Sequence, residues 1–409
     1  MAEINSGDTA WILISSALVM LMTPALGLFY GGLVRQKNVL STIMHSFFML
    51  ALISVQWVLW VYTLAFGHDK GGLIGGLDWI GLVGVGQEPN ATYAATIPHQ
   101  AFMIYQAMFA VITPALISGA FAERKRFKTF ILFSLLWATL VYDPVAHWVW
   151  ADGGWLRSLG ALDFAGGTVV HITSGISALV AAQVLGRRLQ DPDERLEPHN
   201  VTMTVLGAGL LWFGWFGFNA GSALGASGLA AAAFVTTNTA AAMGLLTWMT
   251  LSWMTHKRPS VVGASAGAVA GLVAITPAAG FVTPTAAILI GFAAGALCFA
   301  AVEYVVRRRV DDALDVFGVH GVGGALGAIA TGIFATKAVN PAGADGLLAG
   351  NVNQIVTQAI AVVVVAAYSA AVTWGILKVL DLTVGLRVAP EEEKQGLDLS
   401  LHGEPGYQM

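Results

Sequence analysis

Two histidines, His171 and His320, lie inside stretches that otherwise hold almost only apolar residues. An ionisable side chain at membrane depth is expensive to bury and usually marks a path for an ion, a proton or a substrate. A neutral imidazole ring has one hydrogen-bond donor and one acceptor, so two adjacent rings can pass a proton between them. We therefore expect this pair, one histidine in each half of the chain, to line a transport path.

The composition indicates a membrane protein with many spans. Hydrophobic residues make up 56% of the 409 residues and charged residues 11%, against about 25% charged residues in an ordinary globular protein. Long runs without Asp, Glu, Lys or Arg cover 9–34, 38–67, 89–122, 164–186, 200–255, 259–302 and 346–377. One span needs about 20 apolar residues, so the runs 200–255 and 259–302 each hold two, broken near 219–228 and 276–280. Two further spans, 129–150 and 314–335, each carry one acidic residue, and eleven helices result.

The basic residues predict the orientation of these helices. With the N-terminus outside and the loops assigned by alternation, 17 of the 20 Lys and Arg residues fall on the cytoplasmic side. The remaining three, Lys70, Arg157 and Lys337, fall outside, which is a strong positive-inside bias. Residues 1–8 have no basic segment typical of a cleaved signal peptide. The predicted fold is an all-α polytopic protein of the cell (inner or plasma) membrane, with the N-terminus outside and the C-terminus inside.

An inverted repeat follows from the helix count. Five helices precede the polar loop 186–200 and five follow it before the last helix, so the two halves have opposite orientations. The two histidines then lie roughly 10–13 Å deep from opposite faces, at 1.5 Å per helical residue, and can meet around a central pore. The predicted membrane domain is 1–381, with halves 9–186 and 200–336 and an eleventh helix at 346–381. Residues 382–409 form a cytoplasmic tail, in which the charged run 391–394 is expected to be a solvated face, with a regulatory contact as the alternative.

Several motifs carry a family resemblance. They are 29–35 (FYGGLVR), 163–171 (DFAGGTVVH), 215–222 (WFGFNAGS), 315–321 (DVFGVHG) and 381–387 (DLTVGLR). In order and spacing they resemble the ammonium transporters of the Amt/Mep/Rh superfamily, specifically the bacterial Amt branch. The resemblance covers essentially the whole chain.

The resemblance implies roles for particular residues. His171 and His320 match the pore-lining pair and proton relay, Phe109 and Phe218 match a stacked gate, and Trp150 and Ser222 match an outer recruitment site. Tyr105 stands where close relatives often carry Phe, so its hydroxyl is expected to make the outer vestibule more polar. Asp163 matches the carboxylate that supports the outer site.

Structural roles compete with these assignments. Asp163 can be an ordinary helix cap, and Trp150 can belong to an interfacial aromatic belt. Either histidine can simply bond a neighbouring helix, and Ser222 can close the break after the sixth helix. For Phe109 and Phe218, ordinary packing is the alternative role.

The resemblance also implies a function. An ammonium transporter or channel recruits NH4+ in an aromatic vestibule, deprotonates it and conducts NH3 past the twin histidines, with or without separate proton transfer. Ammonium, with methylammonium as an analogue, and membrane lipid are the expected partners, and the protein is expected to be a homotrimer. A PII-type regulator is a possible cytoplasmic partner for 186–200 and 382–409. We expect no cofactor, no metal, no nucleic acid and no enzymatic activity.

Three alternatives remain open. The first is an ammonium sensor or transceptor coupled to a PII-type protein. The short tail argues against a dedicated sensor, because it is too small to be a soluble output domain. The second is a Rh-like gas channel. The third is a membrane enzyme with the histidines as metal ligands. Catalytic zinc normally takes three protein ligands, and Asp315, five residues from His320, lies on a different helix face.

Overall fold

A computed structural model describes residues 3–190, 196–306 and 309–407 of the chain. Three basic residues that were counted on the cytoplasmic side, Arg195, Arg307 and Arg308, lie outside the described residues. The middle of the loop 186–200 and the last two residues of the tail lie outside them as well.

The described residues are predominantly helical. Among these residues, ten helices are long and apolar enough to cross a membrane, and one further apolar helix, Val261–Ile275, is shorter at 15 residues. The chain is therefore a multi-pass, all-α membrane protein. The helices are α1 Ser6–Leu33, α2 Gln36–Phe66, α3 His99–Phe121, α4 Phe127–Ser158, α5 Gly167–Leu185, α6 Val201–Ala223, α7 Gly228–His256, α8 Val261–Ile275, α9 Pro284–Tyr304, α10 Phe317–Phe334 and α11 Val352–Thr383.

Most helix boundaries lie near the predicted ones, and the largest difference is in the third span. The breaks expected near 219–228 and 276–280 separate α6 from α7 and α8 from α9. The run 89–122, however, is helical only from His99. Before it, β1 (Pro89–Asn90) and β2 (Ala94–Pro98) form a short antiparallel hairpin. Proline disfavours helical backbone in the residue before it, so Pro98 separates the hairpin from α3.

Glycine allows close contact between helices on both sides of the molecule. A Cβ atom at Gly207 of α6 would overlap the backbone of Phe29 in α1. Glycines of α8 and α10 behave in the same way, because a Cβ at Gly271 would overlap the Ala240 carbonyl and one at Gly327 the Ala274 carbonyl. Close backbone approach of this kind favours helix association in lipid.

The two ends of the bundle differ in chemistry. We call the end with the start of α1 and the hairpin the N face, where the Asn5 backbone N–H donates to the Thr96 carbonyl. The opposite end, the tail face, carries residues 384–407. Glu123 there accepts hydrogen bonds from Arg35 and pairs with Arg188, which also pairs with Asp311 at 2.7 Å. These charged side chains join four connections between helices.

The tail packs against this face. The Asp398 carboxylate accepts hydrogen bonds from the backbone N–H groups of Leu40 and Ser41, at 3.0 and 2.8 Å, near the start of α2. Glu393 is buried, pairs with Arg387 at 2.9 Å and accepts from the Leu189 backbone N–H. The expectation of a fully solvated run at 391–394 is therefore wrong for Glu393, because a basic partner and a backbone donor compensate its burial.

Candidate functional site

The two histidines meet in the interior of the bundle. The Nδ1 atoms of His171 and His320 are 3.2 Å apart, and their ring centroids are 5.2 Å apart. Both rings are buried, at 1% and 4% exposure. One Nδ1 must donate and the other accept, so the pair holds a single proton between its Nδ1 atoms. The contact between the two histidines, which their similar depths from opposite faces suggested, is observed.

Similar local structures position both rings. His171 lies in a π-helical turn, Gly167–Ile172, at the start of α5, and His320 lies in another, Phe317–Gly321, at the start of α10. Such turns widen the helix and re-aim side chains, and they are frequent at functional sites. An aspartate precedes each histidine by eight residues, Asp163 in one half and Asp312 in the other.

Asp163 caps the start of α5. Its carboxylate accepts hydrogen bonds from the backbone N–H groups of Gly166, Gly167 and Thr168, at 2.7, 2.6 and 2.8 Å. It also accepts from the Thr168 hydroxyl and, at 3.3 Å, from the Val169 N–H. The Asp163 carbonyl accepts from the Trp150 indole at 3.0 Å. The capping role considered for Asp163 is therefore present, and it connects the helix start to Trp150.

Aromatic rings extend from the N face to the histidines. Trp150 meets Phe109 edge-on, with centroids 5.8 Å apart, and Phe109 packs on Phe218 at 4.4 Å. Phe218 in turn stacks on His171 at 6.0 Å and 23°. Phe109 and Phe218 are each 1% exposed. Together, these rings and the histidine pair form one continuous column.

Three cavities follow this column. The N-face cavity, about 190 Å³, is lined by Trp150, Phe109 and Ser222. A narrow central cavity of about 10 Å³ touches Phe218 and both histidines, which is room for about one water molecule. The tail-face cavity, about 710 Å³, reaches His320 from the other side. A small solute that crosses between the large cavities by this route must pass the two phenylalanines and the two histidines.

Tyr105 is oriented differently from the sequence expectation. It is fully buried, and its hydroxyl lies 2.9 Å from both the Gly217 and Phe218 carbonyl oxygens and 3.1 Å from the Ser222 hydroxyl. It does not line the N-face cavity. Its hydroxyl therefore bonds the end of α6 and fixes Ser222, instead of making the cavity wall more polar.

Sequence reasoning missed several residues along the column. Trp215 stacks on His171 at 5.6 Å, and its indole N–H donates to the Thr276 hydroxyl at 2.9 Å. Its position three residues before Phe218, on the same helix face, was the available signal. Further residues line the N-face cavity, namely Phe66, Tyr93, Phe102, Gln106 and Arg157.

Charge pairing on the tail face shifts two carboxyl groups. Burial acts to raise the pKa of Glu123, but Arg188 and Arg35 hold that pKa below its usual range. Burial likewise opposes ionisation of Asp311, yet its hydrogen bonds and charge interaction with Arg188 lower the pKa to about 2. Both groups are therefore carboxylates at neutral pH and hold the connections of the tail face together.

The model of the Ammonium Transporter Family matches residues 10–407. The chain belongs to this family. An ammonium transporter of Bacillus subtilis is 56% identical over 98% of both chains. A putative ammonium transporter of Methanothermobacter thermautotrophicus is 51% identical over 99% of both.

Solved structures agree with this membership. Saccharomyces cerevisiae Mep2 superposes with a TM-score of 0.89 at 40% identity, covering 95% of this chain and 88% of that chain. A structure described as a sensor Amt protein gives a TM-score of 0.88 at 31% identity, covering 97% and 98%. Members of the ammonium transporter family are transporters and not enzymes. In the described part of the chain, no group of three or more His, Cys, Asp or Glu side chains is arranged to hold a metal ion.

Proposed function

We propose that the chain takes up ammonium from the N face, deprotonates it and conducts ammonia past His171 and His320 to the tail face. The observation that carries this proposal is the contact between the two imidazoles beside a central cavity of about 10 Å³. The rings on its N-face side are aromatic and buried, so a solute there loses most of its hydration.

Energetics favour a neutral solute in this passage. The idealised cost of moving an ammonium-sized ion into a low-dielectric interior is of order 20 kcal/mol. Ammonium has a pKa roughly two units above neutral, so removing its proton at about pH 7 costs only about 3 kcal/mol. Potassium has no proton to give up and is therefore excluded.

Recruitment is assigned to the N-face cavity. The faces of Trp150 and Phe109 attract a cation by about 0.5–2 kcal/mol per site, and the Ser222 hydroxyl offers an acceptor. Tyr105 supports this site by positioning Ser222. The contact between Phe109 and Phe218 is proposed as the gate, and Asp163 as the support that holds the helix start and Trp150.

The proton has two routes under this proposal. It returns to the N face, or it moves separately along His171 and His320. Reconstituted membranes under an ammonium gradient distinguish the two, because a reversal potential that does not change with ammonium excludes charge translocation.

The larger arrangement is proposed as follows. All eleven helices span the cell membrane, with the N face outside and the tail face in the cytoplasm, in two inverted halves, 9–186 and 200–336. The equal spacing of the aspartate and histidine in each half supports the repeat, as do the matching π-helical turns. The helix at 346–381 completes the membrane domain 1–381. Residues 382–409 are the cytoplasmic tail, the assembly is a homotrimer, and a PII-type protein is a candidate regulator.

A sensor or transceptor is the second candidate function, since the sensor Amt protein matches this chain over nearly its whole length. Uptake of methylammonium by a transporter-deficient host tests the main proposal. We expect uptake with the intact chain and none with the host alone. Correctly inserted protein that gives no uptake would favour the sensor.

A further inference from the structure

Asp312 is a buried carboxyl group on the wall of the tail-face cavity, which His320 also lines. It is 5% exposed. One oxygen, Oδ2, accepts a hydrogen bond of 2.7 Å from the Phe317 backbone N–H and so caps the π-helical turn that carries His320. The other oxygen, Oδ1, is buried and has no hydrogen-bond partner among the described residues. Capping explains one oxygen and leaves the other without a structural role.

The comparison with Asp163 makes this difference sharper. Both aspartates lie eight residues before a histidine of the pair, one on each side of the passage. Both oxygens of Asp163 accept hydrogen bonds, which stabilise its charged form. The Asp312 carboxylate, in contrast, accepts a hydrogen bond of 2.7 Å from the Phe317 backbone N–H at Oδ2 and none at Oδ1 among the described residues. Of the two positions, the one on the tail face keeps an oxygen that can carry and release a proton.

The charges around Asp312 also favour its neutral form. Burial and the nearby Asp315 carboxylate raise the pKa of Asp312 to about 7, against the opposing influence of the Phe317 and Val316 N–H groups and of Arg124. Tyr30 of α1 faces it as well. Other charged groups near this cavity already have partners, as in the pairs Arg188–Asp311, Arg188–Glu123 and His256–Glu303.

We propose that Asp312 protonates ammonia as it leaves the passage beyond His320. The O–H bond of the carboxylic acid breaks, an N–H bond forms, and the products are the Asp312 carboxylate and NH4+. A hydronium ion or buffer acid from the cytoplasm then returns the proton to the carboxylate. This inference rests on the proposed function, because it requires ammonia to arrive in neutral form.

The chemistry of this step suits the position. Ammonium is a weaker acid than a carboxyl group of pKa about 7 by roughly two units, so transfer to ammonia is favoured about a hundredfold. A general acid works best when its pKa lies near the working pH. The product is a cation beside a carboxylate in a wide cavity, which disfavours return of the solute into the apolar passage.

The dependence of transport on cytoplasmic pH tests the proposal. Proteoliposomes with the tail face in the lumen receive external ammonium chloride, and the initial uptake is followed while only lumenal pH is varied. Between about one unit below and one unit above the pKa, the protonated fraction of Asp312 falls about tenfold. We expect wild-type uptake to fall several-fold over this interval. Asp312→Asn keeps an acceptor for the Phe317 N–H and cannot titrate, so its profile should be flat and its uptake reduced.

Asp315→Asn is the matched control. It removes the charge that raises the Asp312 pKa, so the pH profile should keep its shape and move to lower pH. A purely structural role for Asp312 would lower the rate without changing the profile. If the wild-type and Asp312→Asn pH profiles have the same shape, this inference is overturned and the proposed function is not. If Asp312→Asn does not fold, an Asp315→Asn profile at the same pH as the wild-type profile overturns it in the same way. Wild-type protein without ammonium flux would overturn the proposed function and this step with it.

Discussion

Replacement of Asp163 by alanine should strongly destabilise the start of α5. Alanine leaves the buried N–H groups of Gly166, Gly167 and Thr168, now bonded at 2.6–2.8 Å, without their acceptor. A buried donor without a partner costs about 1–3 kcal/mol, so the expected loss is about 3–9 kcal/mol. This is comparable to the whole stability of many proteins, about 5–15 kcal/mol.

Two milder variants grade the effect. Asp163→Asn keeps one of the two acceptor oxygens and should lose about half as much stability. The remaining oxygen is uncharged and accepts weaker hydrogen bonds. Thr168→Val removes only the hydroxyl that donates to Asp163 and should cost about 1 kcal/mol. Thermal unfolding of the purified proteins in detergent, followed by circular dichroism, measures the order. An Asp163→Ala protein with the wild-type unfolding midpoint would refute the assignment of this carboxylate as the cap.

Three further predictions concern both faces. Glu123→Gln removes the buried carboxylate that pairs with both Arg35 and Arg188, although Arg188 keeps its ion pair with Asp311. It should lower the free energy of unfolding by about 3–5 kcal/mol, as measured by denaturant titration. The lowered pKa of Asp311, about 2, stabilises the fold above the unfolded value of about 4. That stability should disappear as pH falls from about 4 to 2, and Asp311→Asn should remove this part of the acid dependence of the unfolding midpoint. Trp150→Ala should raise the KM for methylammonium about 2- to 30-fold with a smaller change in kcat, and equal changes in both would contradict a recruitment role.

Much of the helical framework could be predicted because lipid imposes a simple rule on sequence. Runs without charge had to be helices of spanning length, and the breaks near 219–228 and 276–280 were marked by turn residues. The contact between His171 and His320 could also be anticipated, since their depths from opposite faces are set by helix rise alone.

Side-chain direction could not be predicted in the same way. The hydroxyl of Tyr105 bonds the carbonyl groups at the end of α6, and this depends on how α3 and α6 approach each other. Glu393 is buried because Arg387 and the Leu189 N–H lie beside it, a tertiary contact that a run of acidic residues does not reveal. The free oxygen of Asp312 is of the same kind, because only the packed cavity distinguishes it from Asp163.

The central claim is that only a solute able to lose a proton passes the constriction. The ammonium/potassium selectivity of variants of the histidine pair tests this claim most directly. His171→Asp and His320→Glu each place a fixed anion where a neutral ring now lies, and such an anion can hold a desolvated cation. Currents from reconstituted membranes, with ammonium or potassium as the permeant cation, give the discrimination ratio. We expect the variants to conduct potassium and to lose most of the discrimination of the wild-type protein. Correctly folded variants that both keep the wild-type ammonium/potassium ratio would contradict the assignment of His171 and His320 to the conduction path.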